Sequence, residues 1–198
     1  MEISVSEFVK PGSQLILPLF EGNEKAPNNS LTGLGRSQRS LVREAISSGD
    51  FEAKKGKRLS IWTPGCNIIL VGMGEKGALG HKRARNIGAR LISAMSKKKG
   101  TEVTVRFTSG WNSERMNDFA EGMMLRDYEF LEHQEVPDEY IDEPWTVNFQ
   151  ANSRYQSSLK ECLSESLAIV AGVHLARDLG TKGMRVNAIS AGPIKTLA

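Results

Sequence analysis

Short apolar runs alternate along this chain with stretches whose apolar residues recur every three or four positions, the pattern of helices packed on a sheet. Ser13–Phe20 reads as a strand, with Pro18 pointing to an edge position or a bulge. Residues 21–35, rich in Gly, Asn, Pro and Ser, read as a loop. Ser37 is placed to cap a helix over Gln38–Ser47, with Leu41, Val42, Ala45 and Ile46 on one face and Gly49–Asp50 ending it. Arg58–Thr63 and Asn67–Met73 then form two strands about a Pro64–Gly65 turn. The second is nearly all apolar, which suits a strand covered on both faces.

His81–Lys99 carries Ala84, Ile87, Leu91, Ala94 and Met95 at helical spacing, and Gly100 stops it. Glu102–Thr108 follows as a strand. Asn112 or Ser113 caps a further helix running to about Phe130. Residues 132–144 are acidic and hold two prolines, as an exposed connection would. Trp145–Phe149 is a short strand, and Ser157–Leu179 is the longest helical pattern, stopped by Gly180. Met184–Ala191 reads as one more strand.

Composition narrows the class. With 198 residues, 39% hydrophobic and 25% charged, the chain has an ordinary globular composition. It lacks the roughly 20-residue apolar run of a membrane span, and MEISVSEFVK is no secretory signal, so the expected compartment is the cytoplasm. Cys66 and Cys162 make no metal spacing and are expected as reduced thiols. The net charge of +3 is too mild to make nucleic acid an expected partner. The basic clusters Lys82–Arg85 and Lys97–Lys99 are read as solvated ends of one helix.

Candidate chemistry is sparse. Gly72, Gly74 and Gly77 form a G-x-G-x-x-G between a strand and a helix, where backbone amides can approach a pyrophosphate. Against this, the helix starts late, near His81, and no acidic residue ends a second strand about 20 residues on. Asp138, Glu139, Asp142 and Glu143 are the densest carboxylates, but they lie between Pro137 and Pro144 with no histidine beside them. His81, His133 and His174 are scattered, and Met116, Met123 and Met124 read as core filling. No catalytic, metal or cofactor residue is assigned; Gly72, Gly74 and Gly77 carry the alternative, an NAD-binding site.

Taken in order, several stretches resemble the N-terminal domain of the leucyl (cytosol) aminopeptidases over residues 1–180. They are LILPLFEG at 15–22, AISSGDFEAKKGKRLSIW at 45–62, NIILVGMGEK at 67–76, RNIGARLISAM at 85–95, AEGMMLRDYEFLEH at 120–133 and SLAIVAGVHLARDLG at 166–180. The resemblance implies a three-layer, macro-domain-like mixed sheet flanked by helices. In that family a separate catalytic domain holds two divalent metals, such as zinc or manganese, and removes N-terminal amino acids from peptides. No residue here matches those metal motifs, so the resemblance implies a chain inactive alone, with a role in assembly or regulation.

The expected organisation is a domain over 1–150, a helix over 151–180 leading toward a catalytic domain, and a tail over 181–198. Such a helix would expose Leu163, Leu167 or Val170, so self-association and the parent catalytic domain are the expected partners. The tail KGMRVNAISAGPIKTLA at 182–198 resembles enoyl-acyl-carrier-protein reductases and reads as a chimeric end. The alternative function is therefore an NAD-binding fragment related to short-chain dehydrogenases. A third reading, nucleotide or ADP-ribose binding, rests on the macro-domain likeness of the fold and on no residue.

Overall fold

The computed structural model describes residues 1–10, 12–22, 31, 34–95, 102–107, 110–127, 145–180 and 182–186. In chain order the elements are β1 (Glu2–Ser6), β2 (Gln14–Phe20), α1 (Arg36–Ser47), β3 (Arg58–Thr63), β4 (Cys66–Gly74), α2 (His81–Ala94), β5 (Glu102–Arg106), α3 (Ser113–Asp127), β6 (Thr146–Gln150) and α4 (Ser153–Gly180). The six strands make one sheet in the order β1-β6-β5-β2-β4-β3. Every neighbouring pair is parallel except the β3–β4 hairpin. The fold is the expected mixed sheet flanked by helices. No helix among the described residues is long and apolar enough to cross a membrane.

Alternation along the strands divides the core between two faces. Leu15, Leu17 and Leu19 of β2 with Ile68 and Leu70 of β4 point to α1, where Val42 and Ile46 meet them. Ile16, Phe20, Ile69 and Val71 point the other way, into a larger cluster with α2, α3 and the first half of α4. Each face of β4 is therefore covered, as its apolar run requires.

Several boundaries differ from the sequence reading, each for a local reason. α1 begins at Arg36 after an extended Gly35, so Ser37 lies inside the first turn and does not cap; Gln38 Oε1 instead accepts from the Gly35 N–H at 3.0 Å. Asn112 does cap α3, its Oδ1 accepting from the Arg115 N–H at 2.9 Å. β2 is a central strand, which corrects the edge reading of Pro18. Its ladder to β5 covers only Gln14–Ile16, so Pro18 lies past the β5 partner, and a register shift between Leu19 and Phe20 supplies the bulge. α4 starts at Ser153, earlier than the apolar pattern shows, because its first turn is polar. Met184–Val186 carry no strand; the rest of that expected element, the acidic residues 132–144 and the helix end at 96–99 lie outside the described residues.

β1 was not foreseen. Only Ile3 and Val5 mark it, and it becomes an edge strand by pairing with β6 from Glu2↔Thr146 to Ser6↔Gln150. Its exit segment, Glu7–Lys10, lies against the face of β5 and β6 that α1 leaves bare. There Asn148 Nδ2 donates to the Phe8 carbonyl at 3.0 Å, Gln150 Nε2 to the Glu7 carbonyl at 2.7 Å, and the Lys10 N–H to Thr104 Oγ1 at 3.3 Å. The buried polar residues Thr104 and Asn148 are thus satisfied by the chain itself.

Candidate functional site

Strand order fixes where a ligand would sit on such a sheet. β2 leaves toward α1 on one face, while β5 leaves toward α3 on the other, so the chain reverses between them and a crevice opens at their carboxyl ends. Two adjoining cavities occupy that crevice, of about 580 Å³ and about 520 Å³. They share Gly110, Trp111, Arg154 and Tyr155. Both are within the size range of small-molecule sites.

The floor is aromatic. Trp111 is buried and packs its ring 4.8 Å from Phe107, 5.3 Å from Phe20 and 5.9 Å from Phe119, centroid to centroid. Its indole N–H is buried without a hydrogen-bond partner among the described residues. Gly110 allows the tight turn into Trp111: its φ is +102°, and a Cβ there would press on the Phe20 ring at 3.2 Å.

The walls are cationic. Arg106, at the end of β5, is buried and donates from Nε to Gln150 Oε1 at 2.6 Å. Burial pulls its pKa below the ordinary arginine value without discharging it. Arg154, exposed in the first turn of α4, lies 4.4 Å over the Tyr155 ring. Lys76 and Arg115 line only the smaller cavity, Glu7 and Phe8 only the larger. The first turns of α3 and α4 both border the crevice, adding the partial positive charge of two helix N-termini.

A second cluster lies beside it, between α2 and α3. The Asp118 carboxylate, only 3% exposed, takes His81 Nδ1 at 2.7 Å, Arg115 at 3.3 Å and Arg85 at 3.5 Å, and Arg85 also reaches Glu121 at 3.1 Å. A buried carboxylate needs such partners, and this network joins the two helices.

The residues singled out in the sequence fall largely outside the crevice. Gly72 and Gly74 serve the segment beneath them. The Gly72 N–H donates to the Lys57 carbonyl, and the Gly74 N–H to the Ala53 carbonyl, each at 2.8 Å. A Cβ on Gly72 would collide with the Lys54 carbonyl, and Gly74 has φ +77°. Neither amide is available to a pyrophosphate; only Gly77, in the turn Lys76–Ala78, borders the smaller cavity. Met116, Met123 and Met124 are core residues, Met116 also lining the larger cavity. Cys66 and Cys162 are free thiols whose pKa values burial pushes up, the wrong direction for nucleophiles. His133 and the carboxylates 138–143 lie outside the described residues. Among those described, no three His, Cys, Asp or Glu side chains gather as a metal set. The crevice itself was illegible in sequence, because Arg106, Trp111 and Arg154 belong to three separate elements.

Comparison with known proteins agrees with the architecture. The chain matches the cytosol aminopeptidase family, N-terminal domain, over residues 16–135. A probable cytosol aminopeptidase of Burkholderia cenocepacia (strain HI2424) is 22% identical over 175 residues, which are 84% of this chain and 34% of that protein. One from Geobacter sulfurreducens is 30% identical over 121 residues, 59% of this chain and 24% of that protein. A solved structure of a tomato leucine aminopeptidase mutant superposes with a TM-score of 0.69 at 20% identity, covering 90% of this chain and 38% of that one. The chain thus spans about a third of the length of the Burkholderia relative. On the family match, it belongs to the cytosol aminopeptidase family, as that family's N-terminal domain.

Proposed function

We propose that this chain is the non-catalytic part of a leucyl-aminopeptidase-like metalloexopeptidase and serves in assembly or regulation, in the cytoplasm. In this reading residues 1–150 form the body, 151–180 lead toward a catalytic domain that holds two divalent metals, and this chain contributes no metal ligand.

The observation that carries the proposal is the outer half of α4. The helix is about 42 Å long at 1.5 Å per residue. Leu159, Leu163 and Val170 are buried in the main core, which corrects the expectation that Leu163 and Val170 would be bare. Leu167 and Ile169 are exposed, and beyond Val170 no residue of the helix is buried, although Val173 and Leu175 are 48% and 49% exposed. Apolar side chains held out on a rigid rod mark a surface that another domain or another copy covers. Sedimentation velocity tests it: the chain self-associates with rising concentration, and Val173→Lys with Leu175→Lys holds it monomeric. A wild-type chain that stays monomeric throughout contradicts the assembly role.

A further inference from the structure

β3 ends the sheet: β4 pairs with it on one side, and no strand among the described residues pairs with it on the other. The Gly72 N–H donates to the Lys57 carbonyl at 2.8 Å, which sets the alternation of the ladder. Leu59 and Ile61 therefore turn their amides and carbonyls to β4, and Arg58, Ser60 and Trp62 turn theirs outward. The side chains of those three share the α2 face, since Arg58 stands opposite Val71 and Ser60 opposite Ile69. All three are exposed, Trp62 by 76%. Bare sheet edges are commonly blunted by lysine, proline or a bulge. β3 has no lysine or proline from Arg58 to Thr63, and its register with β4 is unbroken.

Charge and a groove surround this edge. A cavity of about 250 Å³ lies between the hairpin and α2, lined by the apolar Val71, Ile87 and Leu91 with Arg58 and Arg90 beside them. Neither arginine forms an ion pair with a described residue. Lys54, Lys55 and Lys57 crowd the entry to the strand, and Glu52 offsets one of them, Lys54, at 2.7 Å.

We propose that the open edge of β3 takes an extended acidic–apolar segment of a partner protein as a further strand of the sheet. The outward amides and carbonyls supply the backbone bonds, and the side chains of the edge select the partner. In an antiparallel register the partner carries an acid opposite Arg58, where Arg90 shares the cavity. It carries a hydroxyl opposite Ser60 and a β-branched residue opposite Trp62, with apolar residues opposite Leu59 and Ile61 on the α1 face. A nucleic acid would answer the positive charge but not the row of outward backbone groups.

Trp62 is its own reporter: Trp111 and Trp145 are buried, so a blue shift of tryptophan emission on binding marks the covering of Trp62. The test titrates the full chain with the capped peptide Val-Val-Thr-Val-Glu-Glu, and with Val-Val-Thr-Val-Lys-Lys in parallel. The acidic peptide gives a saturable blue shift and binds about tenfold more tightly than the basic one. Arg58→Glu reduces or reverses that preference. Ser60→Pro removes an outward N–H while sparing the bonds to β4, and it abolishes binding of the acidic peptide. Both substituted side chains are exposed, and a circular dichroism melt matching the parent confirms that each variant is folded. No saturable shift up to about 1 mM peptide overturns the proposal. So does equal binding of the two peptides by the parent, or binding by a folded Ser60→Pro chain as tight as the parent's. An oligonucleotide that gives the same shift in parent and Ser60→Pro alike overturns it in favour of nucleic acid. Emission that shifts with the chain's own concentration overturns it in favour of a second copy. These variants leave α4 untouched, so this result and the sedimentation result succeed or fail separately.

Discussion

Gly88 of α2 lies directly against the carbonyl of Phe119 in α3, with the Met123 amide at its other side, so closely that a Cβ on Gly88 would fall inside the contact distance of that oxygen. Gly122 of α3 repeats the relationship against the Arg85 carbonyl. The two helices therefore touch backbone to backbone, with Ile87, Leu91, Phe119 and Met123 closing around the contact. A methyl at either glycine would have to push the two helices apart. Gly88→Ala is expected to destabilise the fold by about 1–3 kcal/mol, the range for overpacking a close contact. Urea unfolding reads this as a lower midpoint at an unchanged slope. An unaltered midpoint would show that the helices separate freely.

That crossing illustrates what a single sequence conceals. The apolar faces of α2 and α3 were readable, since Ala84, Ile87 and Leu91 recur at helical spacing. Gly88 and Gly122 carried no signal, because a glycine needed for close approach looks like any other. The strands Gln14–Phe20, Arg58–Thr63 and Cys66–Gly74 were legible from long apolar or alternating runs. β1 was not, since two apolar residues cannot announce a strand that is fixed by pairing with β6 and by packing of Ile3 and Val5 on the main core. The crevice stayed hidden for the same reason: it is built by topology, where β2 and β5 end side by side.

The glycine triad separates into structural and dispensable members. Gly72→Ala forces a methyl into the Lys54 carbonyl and the Ala53 backbone, with an expected loss of about 1–3 kcal/mol. Gly77 has open space around its Cβ position and no positive φ, so Gly77→Ala is expected within about 0.5 kcal/mol of the parent. Thermal melts of the two variants check the contrast. A dinucleotide fingerprint would instead make both substitutions abolish NADH binding in a parent chain that binds it, and no such binding is expected.

His174 gives the fold a pH dependence of definite sign. Burial lowers its pKa, the N-terminal ammonium and Arg177 push the same way, and Asp127 opposes them. The folded chain therefore favours the neutral ring, and the unfolded chain binds the proton more readily. The stabilisation from this group is present above the unfolded histidine value of about 6.5 and is lost as pH falls through the folded value. Urea midpoints at roughly pH 7.5 and pH 5.5 bracket that window. His174→Gln is expected to shrink the fall between them, and an equal fall in both chains would show that this imidazole is not linked to unfolding.

The proposed function leaves this domain without peptidase chemistry of its own. The measurement that tests it most directly is hydrolysis of a leucine amide or anilide by the purified, folded chain with added manganese or zinc, beside a full-length cytosol aminopeptidase as control. No turnover above the metal-only blank is expected while circular dichroism shows the α/β fold intact. Metal-dependent turnover that survives repurification would contradict it and would place a complete hydrolytic site within these residues.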